Sequence, residues 1–212
     1  MTTKLPVFFQ GVGTTVELAL CTAIFGTLLG IVVALLRMSR VKLLKVLAGA
    51  YIEFLRGTPL LVQVLIVFYG LPQMGVKLPR MTAGTVALVI NSAAYMAEIV
   101  RSGIQAIDGG QTEASRSLGL NGAQTMIYII LPQAIKNILP AIGNEFISII
   151  KESSILYTIG IYELTYQANK LASTNFRYLE TLTISALIYF VLTFTASRLL
   201  GMLERRMRRG DR

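Results

Sequence analysis

Residues 14–36 read TTVELALCTAIFGTLLGIVVALL, a run in which Glu17 is the only charged side chain and which Arg37 closes. A helix rises about 1.5 Å per residue, so about 20 such residues cross a hydrocarbon core of about 30 Å. The run is long enough to span a bilayer by itself. It places the chain among membrane proteins before any motif is considered.

Four more apolar segments follow, at roughly 57–75, 82–100, 126–150 and 179–201. The last qualifies as easily as the first. The middle three are interrupted by Gly, Pro or polar residues, as helices that line a transport path often are. The N-terminus carries Lys4 but no cleavage-site pattern, so the first run reads as a retained span and not a removed signal. The expected fold is an all-α integral membrane protein with five transmembrane helices.

Composition agrees. Of 212 residues, 54% are hydrophobic and 15% charged, too few polar groups to clothe a soluble domain of this size. A net charge of +9 invites a nucleic-acid reading, but the basic residues stand beside apolar runs, not along one face with aromatics between them. No nucleic-acid partner is expected. Cys21 is the single cysteine, so no intrachain disulfide forms, and there is no histidine. His-based acid–base chemistry and the commonest metal ligand are thereby missing. No His/Cys cluster, Walker glycine loop or nucleophile elbow appears. The chain reads as a non-enzyme with no metal or cofactor of its own.

Orientation follows from basic residues near the ends of the spans. With the N-terminus outside, the inner segments hold 14 of the 20 Lys and Arg residues, including Arg37, Arg40, Lys42, Lys45 and the tail Arg205–Arg212. The outer segments hold the other 6: Lys4, Lys77, Arg80, Lys151, Lys170 and Arg177. The C-terminus is therefore expected in the cytoplasm, and so is the polar stretch between the third and fourth spans.

That stretch is unusually ordered for a tether. Gly109-Gly110 breaks the chain, Gln111 to Leu118 is good helical sequence, and Gly119 suits the left-handed position that ends a helix. Asn121 with Gln124 looks like a capping box that starts the next helix, in which Pro132 and Pro140 predict kinks. A short helix, a tight turn and a second helix make a knob. Ala114 and Ser115 are small enough for close approach by a partner, while Glu113 and Arg116 supply charge. On spacing alone, an ordinary amphipathic loop is an equal reading.

The pattern Glu113-Ala114-Ser115, three residues, Gly119, nine residues, Ile129, one residue, Leu131-Pro132 resembles the loop signature of permease subunits of bacterial ABC importers, with Ser115 in place of a second alanine. Phe54-Leu55-Arg56-Gly57-Thr58-Pro59-Leu60-Leu61-Val62-Gln63 is similar to the second-span motif of the polar amino-acid permeases. The stretches Ala94–Ile104 and Lys151–Leu156 resemble their third span and the segment after their fourth. The motifs cover most of residues 10–203, and the chain is identified as a member of the histidine, arginine and glutamine type, nearest to the basic amino-acid permeases. The resemblance implies one permease domain over residues 1–212 in a bacterial plasma membrane. It implies that Glu113, Ala114, Ser115, Arg116 and Gly119 belong to a coupling helix that docks on an ATPase subunit. It also implies two such ATPase subunits that bind ATP and Mg, a second permease subunit (a homodimer by expectation), an extracytoplasmic amino-acid-binding protein, and alternating access.

Charged groups at bilayer depth cost roughly 2.5–3.5 kcal/mol on insertion scales, so each needs a partner or a task. Glu17 reads as lying in the first turn of its span, offsetting the helix dipole. Glu98 and Arg101 are placed to pair on one helix face. Glu145 shares a face with Asn144 and Ser148, and helix packing or a pathway role is open for it. A half-helix starting near Ser153 or Ser154 would aim free N–H groups inward, a good carboxylate site, unless the two serines merely cap it. Glu163, flanked by apolar residues, would need a cation. Asn91 reads as interhelical glue or a substrate contact, and Met96 as core packing or a wall against an aliphatic stem. Together, Asn91, Met96, Ser153, Ser154 and Glu163 are the candidate site for an amino acid, with Glu163 meeting a cationic side chain or the α-amine. Arginine, lysine or histidine is favoured, with glutamine or another polar amino acid as the alternative. The rivals from other classes are an ion-coupled secondary transporter and a membrane scaffold.

Overall fold

The computed structural model describes residues 5–208, and among them every regular element is helical. In chain order these are α1 Leu5–Arg37, α2 Lys42–Gly57, α3 Leu60–Gln73, α4 Arg80–Gln105, α5 Gly109–Ser117, α6 Gly122–Ile159, α7 Leu164–Asn175 and α8 Tyr178–Arg208. Helices α1, α4, α6 and α8 are long and apolar enough to cross a membrane. A fifth crossing exists if α2 and α3, bent by 108° from each other, count as one.

The bend corrects the expected second span. Pro59 has no N–H to continue α2 and forces Thr58 into an extended conformation, at φ −118° and ψ 149°. The chain then restarts as α3, which at about 1.5 Å per residue reaches only roughly 21 Å. Residues 57–75 are therefore the outgoing half of a broken element whose first half, α2, begins at Lys42. The fourth span is longer than expected, running on to Ile159 as a tightened 3₁₀ tail.

The prolines within helices are met by widening. A π turn at Ile66–Gly70 precedes Leu71-Pro72-Gln73, and another at Met126–Ile130 precedes Leu131-Pro132-Gln133. Proline leaves the carbonyl four residues back unpaired and crowds it, and a single wide turn relieves both faults. Pro140 sits inside the regular part of α6, which continues through it.

Helix α1 lies along α4 through small residues. A Cβ on Gly26 would stand 2.8 Å from Ser92 Oγ, and one on Gly30 would stand 2.4 Å from Met96 Cβ. Only glycine permits that approach, which is how membrane helices gain packing when apolar burial gives no advantage over lipid. Around this seam lie two apolar clusters. One joins Val33, Ala34, Ala97, Ala134 and Ile138, and the other Leu18, Val64, Leu88, Leu156 and Ile161.

One expectation fails by register. Because α1 begins at Leu5, Glu17 lies beyond the first turn, where the helix dipole no longer reaches it.

Candidate functional site

The knob between α4 and α6 is built by caps. Asp108 starts α5 by accepting the N–H of Gly110 at 2.7 Å. Gly119, at φ 89°, ends it in the left-handed region. The N–H groups of Gly119 and Leu120 then donate to the carbonyls of Arg116 and Ser115 at 3.0 and 3.1 Å, the paired bonds of a Schellman turn. Asn121 and Gln124 exchange the two bonds of a capping box at 2.8 and 2.9 Å, as their spacing predicts. Ser115 is buried at 4% exposure. Its hydroxyl meets Thr125 Oγ1 at 3.1 Å and so ties α5 to the first turn of α6. Glu113, Ala114 and Arg116 remain exposed, and Leu118 stands out at 82% exposure. The result is a rigid, partly apolar projection.

The polar residues inside the bundle form two separate nodes. At the first, Asn91 Nδ2 donates to Gln63 Oε1 at 2.9 Å. The Gln63 amide nitrogen in turn serves the Leu55 carbonyl at 2.8 Å, the Thr58 carbonyl at 3.2 Å and Thr58 Oγ1 at 2.8 Å. Gln63 thus satisfies carbonyls that the Pro59 break strips of partners, and Asn91 holds the assembly to α4. Asn91 acts here as glue. Nearby, Tyr51 on α2 donates to the Ile90 carbonyl of α4 at 2.7 Å.

The second node surrounds Glu163, fully buried and preceding α7. Its Oε1 accepts the Tyr166 N–H at 2.7 Å, and its Oε2 accepts the Thr165 N–H at 2.8 Å and the Tyr189 hydroxyl at 2.8 Å. Thr165 Oγ1 lies 3.1 Å from the same tyrosine oxygen, and Thr15 of α1 accepts the Leu164 N–H at 3.2 Å. The sequence suggests that this carboxylate needs a cation. The fold gives it the free N–H groups of a helix start instead.

The same geometry corrects the half-helix expected at Ser153 or Ser154. The Ser153 N–H is spent on the carbonyls of Ile149 and Lys151, and its hydroxyl donates to Ile150 O at 2.8 Å. Residues 153–159 are the end of α6, closed by Gly160 at φ 77°. The helix start lies at Leu164, with Glu163 as its cap. Met96 is fully buried beneath Gly30. Of the five candidate residues, Ser154 alone keeps partial exposure.

Sequence reasoning missed Gln63, Tyr189 and Thr125. A tyrosine in the run Leu182–Phe194 was itself a signal, because a hydroxyl in apolar surroundings needs a partner. Glu98 and Arg101 pair as expected, Arg101 Nε donating to Glu98 Oε2 at 2.9 Å.

Helical crossings broken at prolines, buried polar nodes at the breaks and a rigid projecting knob define a polytopic membrane protein of transporter architecture. The chain belongs to the family of binding-protein-dependent transport system inner membrane components, which matches residues 26–209. It is 40% identical to the probable amino-acid permease protein YxeN of Bacillus subtilis, over 98% of this chain and 94% of that one. It is likewise 40% identical to the arginine transport system permease protein ArtQ of Bacillus subtilis, covering 98% of this chain and 95% of that one. The probable glutamine ABC transporter permease protein GlnM of the same organism is 42% identical over 84% of this chain and 83% of that one. A crystal structure of an amino acid ABC transporter with histidines superimposes with a TM-score of 0.94, at 52% identity, over 97% of this chain and 96% of that one. The MetNI methionine ABC transporter shares the fold, with a TM-score of 0.73 at 18% identity.

Proposed function

We propose that this chain is the membrane subunit of an ATP-driven importer of polar amino acids. One observation carries the reading: the knob of residues 108–125 is braced from within by the Schellman turn, the capping box and the Ser115–Thr125 bond, yet it exposes Glu113, Ala114, Arg116 and Leu118. A surface so stiff and so bare suits a docking element. Glu113, Ala114, Ser115, Arg116 and Gly119 are its contact and shaping residues toward an ATPase subunit. The excess of basic residues beside one set of span ends supports a cytoplasmic knob and an outer N-terminus.

Two ATPase subunits hold ATP and Mg, and two copies of this chain pair around the pathway. A binding protein delivers the amino acid. ATP closes the ATPase pair, the knobs follow, and the membrane helices change from inward- to outward-facing access. Within the membrane, Ser154 is the residue best placed to touch substrate. Asn91, Met96, Ser153 and Glu163 shape the path by fixing the helices that line it.

Arginine is the first choice of cargo, from the resemblance to the basic amino-acid permeases, and glutamine the second; relatives with both names match over most of their length. Reconstitution with the partner ATPase and binding protein, followed by uptake of labelled L-arginine against labelled L-glutamine, tests the choice. Preference for arginine supports the basic reading, and preference for glutamine replaces it.

A further inference from the structure

Between α1, α6 and α8 runs a groove of about 560 Å³, in which Thr27 is the only polar side chain. One end is closed. Ala23, Phe146 and Ala196 of its wall also pack on the buried cluster Ala19, Ile149 and Ile150, one turn further along α1 and α6. Leu192 of α8 meets that cluster, while Leu200 rests on the bare Gly143 two turns away, so α6 and α8 run antiparallel. Past Gly143 and Leu200 the groove opens toward two exposed cations. Lys136 stands seven residues before Gly143, on the same face of α6, and Arg206 stands three residues beyond the groove-lining Leu203 of α8. At about 1.5 Å per residue, they lie about 10 Å and about 9 Å beyond the Gly143–Leu200 contact, and so at one level. Glu204, the single acid in the last two turns of α8, is outnumbered there by Arg205, Arg206 and Arg208.

We infer that this groove holds one acyl chain of an anionic phospholipid, whose head group lies between Lys136 and Arg206. A blind apolar slot with cations only at its open end matches a molecule that is apolar along its chain and negative at one end. A zwitterionic phospholipid offers the same chain but no net charge to the cations, and basic residues between membrane helices select for that charge. The volume lies within the roughly 300–1,000 Å³ of clefts that take one small molecule. A flexible chain enters it, whereas a helix of a second copy, about 10 Å across, lies over it. On the orientation proposed above, the head group belongs to the cytoplasmic leaflet. The site is independent of what the chain transports and of how transport is driven.

The chain contains no tryptophan, so a single one reports its own surroundings. F146W places it in the groove wall, and F25W places it on the side of α1 turned away, where Phe25 is 56% exposed. The full-length chain carrying either substitution is reconstituted in phosphatidylcholine bilayers. Fluorescence quenching is then followed as dibrominated phosphatidylglycerol or dibrominated phosphatidylcholine replaces the host lipid. At F146W the brominated phosphatidylglycerol should be preferred by about tenfold or more, and at F25W neither lipid should be preferred. K136Q and R206Q, added singly to F146W, should each cut the preference about fivefold, the effect of one cation near the surface, and together they should abolish it. Equal quenching by the two lipids at F146W overturns the inference, as does a preference that survives the double substitution. Quenching by neither lipid at F146W shows the groove covered by a second copy and also overturns it.

Discussion

The Tyr189 hydroxyl donates to Glu163 Oε2 at 2.8 Å, joining the middle of α8 to the cap of α7 across 26 residues of sequence. The N–H groups of Thr165 and Tyr166 fill the rest of that carboxylate, and Thr15 of α1 accepts the N–H of Leu164 just before them. Three helices therefore meet on one cap. Tyr189→Phe should lower unfolding stability by about 1.5–3 kcal/mol, the range for a hydrogen bond to a charged group. Glu163→Ala should cost more, because it also strips two N–H groups of their acceptor. Thermal unfolding of the assembled complex measures both, and equal losses would contradict the shared cap.

Gln63 and Asn91 should behave as one unit. Either alanine substitution leaves the other amide buried and short of a partner, so the double variant should lose less than the sum of the singles. A coupling of about 0.5–3 kcal/mol is expected for groups in one network. Additive losses would mean that the 2.9 Å contact does not hold α3 to α4.

At Gly30 the prediction is steric. Alanine there sets a methyl group 2.4 Å from Met96 Cβ, closer than carbon atoms approach, and α1 must retreat from α4. Overpacking of this kind costs about 1–3 kcal/mol. Yield and unfolding temperature should both fall. Trimming Met96 to alanine in addition should not rescue them, since the clash is with its Cβ.

Gly119 tests the knob. Alanine at φ 89° costs about 1–2 kcal/mol in the left-handed region and loosens the Schellman turn. The account predicts a drop in uptake with amino-acid binding intact, because the damage lies at the ATPase contact. If binding fell in step with uptake, the knob would be serving the fold and not the drive.

The knob and the long apolar runs were legible because they depend on neighbours in sequence. Gly119 and the Asn121–Gln124 pair act within a few residues and stand as their spacing predicts, whereas Gly109-Gly110, expected to break the chain, open α5 behind the Asp108 cap. Glu163 and Ser153 were harder. Whether a buried carboxylate meets a cation or a helix start depends on where the helix begins, and the apolar pattern around residues 151–164 does not mark that point. Gln63 gave no periodic signal, since its task arises only after Pro59 has turned the chain by 108°. Glu17 was misplaced because the apolar run was read from residue 14, whereas α1 is already helical at Leu5.

The central claim is that ATP hydrolysis on partner subunits drives import through this chain. Proteoliposomes containing the permease, its ATPase and its binding protein, loaded with ATP and Mg, should accumulate labelled L-arginine or L-glutamine even when ionophores abolish every ion gradient. Accumulation that needs a sodium or proton gradient, and proceeds without internal ATP, would contradict the account.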